Sequence, residues 1–507
     1  MFRRLSPLRS SLFSRLQAAH RFAPVIAVRS ILLGGLCSVL LASPVQAAGF
    51  SRLAELSNDG FLISAEARLL PTGAQPGETL GAISPDRLLT PASVTKVYTA
   101  AATLDAWGPQ HRFTTELKST ARTGADGTLA GDLVLVGGGD PSLTSEDLWR
   151  LTQRLHQSGV RRVTGRLVVS QARFGPVACA TTDRCRALER SDNAYSALLT
   201  SAGVNYGSWC VQVAPGAVGG PARITGCNSQ TPLFAVDNRV TTQAANAGTS
   251  LDALRVADGG VERLTVSGTI SANALPREVY RASADPAHQT AETLAAMLSR
   301  SGIVVDGGSA TSMEPAPASA RRLAAVDGKP LQEILLRMLN YSNNYMADVL
   351  ALDLVTTPRA ELDQAGQALE AFVAGVPGHG PVTLESGSGL TTDNKTSAQG
   401  ANALLEYMFQ RPALFPVFAA GLQAPANGPM RFIRRGSSTF QSHVMLKTGT
   451  LNQPVAVRAV TGYFRTASHR WGVFSVLVNG TASTPYISWS RVLDLASLDL
   501  DRMISDH

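Results

Sequence analysis

Lysine is nearly absent from this chain, with five in 507 residues, at positions 96, 118, 329, 395 and 447. Aromatic residues are also few, at 6%. The four cysteines after residue 47 lack the paired short spacings of a zinc site and have no histidine cluster beside them, so no metal site is expected. No internal repeat is apparent. The apolar run at 31–41 is shorter than the roughly 20 residues that cross a bilayer, and no later segment is longer and equally apolar. Acidic residues are missing from the first 47 positions, which hold Arg3, Arg4, Arg9, Arg15, Arg21 and Arg29. The formal charge of +7 is therefore local, and the rest of the chain carries about +1. That balance gives no support for nucleic acid or an anionic membrane surface as a partner.

What is present begins with an export signal. The Arg-rich stretch precedes the short apolar run, and Val45-Gln46-Ala47 supplies small residues for cleavage. Residues 1–47 are expected to be removed, leaving an exported, periplasmic chain with no transmembrane span. Four cysteines then remain, Cys179, Cys185, Cys210 and Cys227, an even number that suits disulfides in an exported protein. Three pairings are possible. Cys179–Cys185 with Cys210–Cys227 closes the shorter loops and is favoured.

The hydrophobic fraction of 44% and the length support more than one core. Residues 91–107 read as a helix started by Pro91 and ended by Gly108-Pro109. A strand at 133–136, a helix at 146–157 and a strand at 166–169 form an α/β unit. From about 174 to 275 the pattern breaks into short strands and turns holding all four cysteines, and a helix follows at 286–300. Leu331, Ile334, Leu335, Met338 and Leu339 share one helical face, which Met346, Val349 and Leu350 repeat after a break. Strands at 444–446, 455–464 and 473–478 suggest an antiparallel meander. The simplest architecture is one domain, 48–112 with 322–507, interrupted by an inserted region, 113–321, that carries a nested β-rich part at about 200–275.

Three short strings carry chemistry. In Ser93-Val94-Thr95-Lys96, serine and lysine stand three apart at a helix start, hence on one face. A serine hydroxyl needs a base to attack a carbonyl, and a neutral lysine can be that base if burial or a nearby cation lowers its pKa. Lys447 is the expected cation, so the Ser93 hydroxyl should meet both Lys96 and Lys447. The Ser93 backbone N–H is available to an oxyanion. In Ser342-Asn343-Asn344, Ser342 can relay a proton to a leaving amine and Asn344 can hold a substrate amide. In Lys447-Thr448-Gly449, cation and hydroxyl can meet a carboxylate, Gly449 leaves room for substrate beside the strand, and Thr450 offers a second N–H to the oxyanion. Singly, each string also fits a helix surface, a polar turn or a strand end. Ser191-Asp192-Asn193 is a rival second string, taken as a surface turn because no amphipathic helix flanks it.

In this order and spacing the strings resemble the D-alanyl-D-alanine carboxypeptidase/endopeptidase family, the low-molecular-mass class C penicillin-binding proteins. The stretches Gly131-Asp132-Leu133-Val134-Leu135-Val136-Gly137-Gly138-Gly139-Asp140-Pro141 and Ser386-Gly387-Ser388-Gly389-Leu390 are similar too. The resemblance implies an α+β fold, a serine β-lactamase/transpeptidase-like domain with an antiparallel sheet between helices, interrupted by an insertion forming two smaller domains. It implies a serine D,D-peptidase that cuts D-alanyl-D-alanine termini or D-alanyl cross-links of peptidoglycan stem peptides through an acyl-enzyme, with β-lactam antibiotics as inhibitors. Ser93, Lys96, Ser342 and Lys447 would be catalytic, and Asn344, Thr448, Gly449 and Thr450 would bind substrate or oxyanion. The alternatives are a β-lactamase or esterase on the same scaffold, or a non-catalytic wall-binding protein. Thr391-Thr392 stands where the family commonly has Ser-Arg, which loosens recognition of a stem-peptide carboxylate. Tyr195 could line the cleft, but a packed core tyrosine is the favoured reading.

Overall fold

A computed structural model of the protein describes residues 49–73, 75–177, 194–229, 232–258 and 261–507. The expected signal, Cys179, Cys185 and Ser191-Asp192-Asn193 lie outside the described residues.

The C-terminal third supplies the meander. Val444–Leu451, Val457–Arg465 and Trp471–Asn479 pair antiparallel in sequence, and Leu62–Leu69 then Glu78–Ile83 complete a five-stranded antiparallel sheet. The first of these strands does not stop before Lys447-Thr448-Gly449 but runs through it, as one edge of the sheet. Side chains alternate across the sheet, and both faces are covered. Ala459, Tyr463 and Leu477 pack under helices Thr95–Trp107, Leu331–Tyr341, Asn344–Asp353, Leu362–Val373 and Ala398–Phe409. Val460, Phe464 and Val476 pack against the last helix, Trp489–Asp506, and the 3-10 turn Leu53–Asp59. Two-sided burial is seen in Val457–Arg465, which is buried at every position but the last rather than at alternate ones. Asn344–Asp353 is buried along its whole length, the helical counterpart of that central strand.

A second five-stranded sheet is mixed. Its order is Ser309–Ser312, Leu167–Ser170, Leu133–Val136, Thr114–Ser119, Arg321–Asp327. Leu133–Val136 and Leu167–Ser170 run parallel, joined through helix Ser145–Gln157, as a parallel pair requires a crossover. A Thr144–Asp147 capping box starts that helix. Helix Pro286–Arg300 shares the same apolar core. The last strand, Arg321–Asp327, pairs antiparallel with Thr114–Ser119, so the expected return point at 322 falls inside a strand of this sheet. Two three-stranded sheets between residues 208 and 282 form a smaller core around Val211, Val240 and Val266. The Cys210–Cys227 disulfide ties strand Ser208–Ala214 to the turn that follows Arg223–Gly226, as favoured from the short loop.

Candidate active site

Three separate pieces of chain meet at the free edge of the antiparallel sheet. A 3-10 turn, Ala92–Val94, leads into helix Thr95–Trp107, and Ser93 sits on that turn, partly exposed. One helical turn later Lys96 is fully buried, with its Nζ 2.8 Å from Ser93 Oγ. The same Nζ lies 2.7 Å from Asn344 Oδ1 and 2.7 Å from the Ser388 carbonyl oxygen. Asn344 is oriented by its other end, since its Nδ2 donates to the Tyr195 carbonyl at 3.0 Å. The Ser388 carbonyl is held by its own residue's N–H, which donates to buried Asp348 at 2.8 Å.

The loop carrying Ser388 approaches the Ser93 turn closely. Gly389 has φ +73°, and a Cβ there would stand 1.9 Å from the Ala92 carbonyl oxygen. Only glycine satisfies both demands.

Ser342 ends helix Leu331–Tyr341 in the left-handed region, φ +54°, an uncommon backbone state for serine. Asn343 then starts the next helix by accepting the Met346 N–H at 2.9 Å. This break between two helices points the Ser342 hydroxyl at Lys447, whose Nζ donates to it at 2.8 Å and to the Thr448 carbonyl at 2.7 Å. Lys447 is fully buried, and loss of hydration pushes its ammonium down to a pKa of about 7.

The strings thus converge, with four departures from expectation. Lys447 bonds Ser342, not Ser93. Strand alternation and register place it against the helix break, so its link to the Ser93–Lys96 pair runs through the Ser342–Asn344 segment. Gly449 makes room for the protein's own chain: a Cβ there would lie 2.3 Å from the Pro91 carbonyl and 2.9 Å from Ser93 N. Asn344 is engaged at both ends of its amide by Lys96 and the Tyr195 carbonyl. Tyr195 itself is 57% exposed and is not a core residue. Thr448 is buried, while Thr450 is exposed and its Oγ1 accepts the Trp489 indole N–H at 2.6 Å. Thr391 bonds Asp393, and the Thr392 carbonyl accepts from Thr90.

Sequence reasoning overlooked Asp348, the Ser388 carbonyl and Trp489. An aspartate inside the apolar run Met346-Ala347-Asp348-Val349-Leu350 was a readable signal for the first, because a buried carboxylate needs a fixed partner. A backbone carbonyl carries no residue-type signal at all.

This geometry, a serine on a helix start bonded to a buried lysine beside a sheet edge that bears a second buried lysine, is an arrangement suited to serine acyl transfer. The family model for D-Ala-D-Ala carboxypeptidase 3 (S13) matches residues 51–489, and the chain belongs to that family of serine-type D-Ala-D-Ala carboxypeptidases. A D-alanyl-D-alanine carboxypeptidase of Actinomadura sp. is 30% identical over 458 residues, covering 84% of this chain and 81% of the relative. A D-alanyl-D-alanine carboxypeptidase of Haemophilus influenzae is 26% identical over 401 residues, covering 77% of this chain and 80% of the relative. The crystal structure of penicillin binding protein 4 from Haemophilus influenzae shares the fold with a TM-score of 0.71 at 21% identity, covering 89% of this chain and 99% of that one. Among the described residues no helix is long and apolar enough to cross a membrane.

Proposed function

We propose that Ser93 is the nucleophile of a periplasmic D,D-peptidase that acts on D-alanyl-D-alanine ends or D-alanyl cross-links of peptidoglycan, and that β-lactams acylate the same hydroxyl. The observation that carries this reading is the set of partners around Lys96. A neutral amine has two N–H groups and one lone pair. The Ser388 carbonyl can only accept. The Asn344 oxygen is likewise an acceptor, because its amide nitrogen faces the Tyr195 carbonyl. In the neutral form of Lys96 these two acceptors would take its N–H groups, and its lone pair would face the Ser93 O–H across 2.8 Å. That is the arrangement of a general base on a nucleophile.

In this reading Lys96 takes the proton as Ser93 Oγ attacks the carbonyl carbon of the penultimate D-alanine. The backbone N–H groups of Ser93 and Thr450 hold the oxyanion, supported by the close packing of Gly449 on Ser93 N. Ser342 and Lys447, already hydrogen-bonded, pass a proton to the departing amine. Water then releases the acyl-enzyme. Thr448 and Lys447 assist substrate, while Asn344 holds Lys96 in place as well as facing the cleft. Residues 48–112 with the chain after 327 would form the catalytic domain, residues 114–327 the insertion, and residues 1–47 a cleaved signal.

The test is labelling with a fluorescent penicillin, together with mass spectrometry of defined muropeptides. The intact protein should take one label and release D-alanine or split cross-links. Ser93→Ala should do neither, and a label that persists in that variant would refute the assignment.

A further inference from the structure

The inserted region carries a groove that the acyl-transfer chemistry does not use. Helix Ser145–Gln157 turns Glu146, Trp149, Gln153 and His156 to one side, at the spacing of a single helical face. Met297 and Arg300 of helix Pro286–Arg300, with Asn228 from the nested β-rich part, complete the lining. The groove holds about 620 Å³, within the roughly 300–1,000 Å³ of small-molecule sites. The helix already buries Leu148, Leu151 and Leu155 in the core of the insertion, so Trp149 is not needed there. Its indole is 55% exposed, a large aromatic plane left on a polar stripe.

Behind this groove lies a smaller cavity that shares Ser145, Asn228, Met297 and Arg300 with it and is also lined by Gln289. Gln289 is 1% exposed. Its Nε2 donates to the Ser208 carbonyl at 2.8 Å, but its Oε1 is buried with no partner. Ser145 Oγ accepts from Asn205 Nδ2 at 2.8 Å and from Asn228 Nδ2 at 2.9 Å, so its own O–H remains to donate. A buried amide oxygen left unpaired is costly, and a donor from outside the chain would satisfy it.

The lining restricts what that ligand is. Among the described residues Arg300 is its only lysine or arginine, and Glu146 opposes it in sign, so a polyanion finds no cluster of cations. Trp149 and Met297 are the only apolar side chains of the outer groove, too few to seat an amphipathic helix by anchors on successive turns. A neutral ligand fits, with an apolar face for the indole and hydroxyl or amide groups that donate and accept. A sugar ring bearing hydroxyl and acetamido groups has both.

We propose that this groove is a glycan-binding site, which holds the N-acetylated sugar strand of peptidoglycan. Trp149 stacks on the face of a sugar ring, and Gln289 Oε1 and Ser145 Oγ receive its polar groups. The proposal rests on peptidoglycan being the substrate. It gives the insertion a part in holding the polymer, separate from the chemical step.

The test is calorimetric titration with soluble glycan strands from which an amidase has removed the stem peptides. The intact protein should bind them saturably. Trp149→Ala should bind at least about 10-fold more weakly, the usual cost of truncating an aromatic anchor. This variant alters an exposed side chain, so acylation by a fluorescent penicillin and hydrolysis of a sugar-free stem peptide should match the intact protein. Gln289→Met, which removes the unpaired acceptor at similar volume, should also weaken strand binding. No binding by the intact protein, or equal binding by Trp149→Ala, would overturn the proposal. Cleavage of stem peptides without strand binding would sink the groove and keep the peptidase, whereas strand binding without any cleavage would do the reverse, so the two failures are distinguishable.

Discussion

The molecule holds two five-stranded sheets of similar layered construction, and they treat charge in opposite ways. In the mixed sheet of the insertion, the charged residues of Thr114–Ser119 lie toward solvent and in pairs, as with Lys118 and Glu116 at 2.6 Å. In the antiparallel sheet, Lys447 and Arg458 on adjacent strands are fully buried, as is Lys96 on the helix packed beside them. Among the described residues, neither Lys447 nor Arg458 is in an ion pair with a carboxylate. A fold can bear such unfavourable burial in one place when the surrounding core is large and well packed, and perturbed groups of this kind are what an active site uses. Among the described residues the insertion carries no comparable arrangement of buried cations around a serine.

The comparison is sharpest between the two lysines. Lys96→Ala is expected to slow acylation by about 10²- to 10⁴-fold, the usual worth of a general base. Lys118→Ala should leave acylation unchanged and alter stability by less than about 1 kcal/mol, as exposed ion pairs contribute little. A stopped-flow acylation assay reads both, and comparable rates for the two variants would erase the contrast.

Two glycines make a matched pair for packing. Gly389→Ala forces a Cβ onto the Ala92 carbonyl at a left-handed φ of +73°, so a loss of about 3 kcal/mol or more is expected, with slower acylation because the Ser93 turn must move. Gly159→Ala has φ +96° but no atom within 4 Å. It should cost about 1–2 kcal/mol in urea melts and leave acylation intact.

Removing the disulfide tests the insertion alone. The double change Cys210→Ser with Cys227→Ser opens a loop with a sequence separation of 17 and should cost about 3 kcal/mol. Hydrolysis of a small peptide should be unaffected below the new melting temperature. A fall in kcat would show that the insertion shapes the chemical step.

A final contrast is a pH dependence. Lys447 has a folded pKa of about 7 against an ordinary 10.5. Below about pH 7 it is protonated both folded and unfolded, so the burial penalty is fully felt. Between about 7 and 10.5 the unfolded chain binds the extra proton, and stability rises with pH. Relative to Lys447→Met, the native protein should therefore gain about 2–3 kcal/mol from pH 7 to pH 9. A stability difference that stays flat over that interval would mean that the ammonium is not depressed.

Much of the site was legible because local geometry fixed it. Three residues along a helix suffice to bring Lys96 to Ser93, and the Asn343 cap with a left-handed Ser342 follows from the polar break between two apolar helical faces. The meander was legible from strand patterning, and the short-loop disulfide from cysteine spacing. What failed was of another kind. Lys447 was assigned to Ser93 and bonds Ser342 instead, because its partner depends on strand register across a separation of 105 residues. Tyr195 was judged by its residue type and proved exposed, with only its backbone carbonyl serving the site. Gly449 was given to substrate, yet the Pro91–Ser93 backbone fills the space.

The order of side chains along the chain thus determined the chemical groups available: one serine–lysine pair on a helical turn, one serine on a break, one lysine on a strand edge. Their pairing and ionisation were decided in three dimensions. Burial pushes the Lys447 pKa down, the Ser388 carbonyl and Asn344 hold Lys96 Nζ beside Ser93, and Ser342 receives the Lys447 hydrogen bond. Hydration and hydrogen-bond partners are properties of the packed core, and a linear string does not contain them.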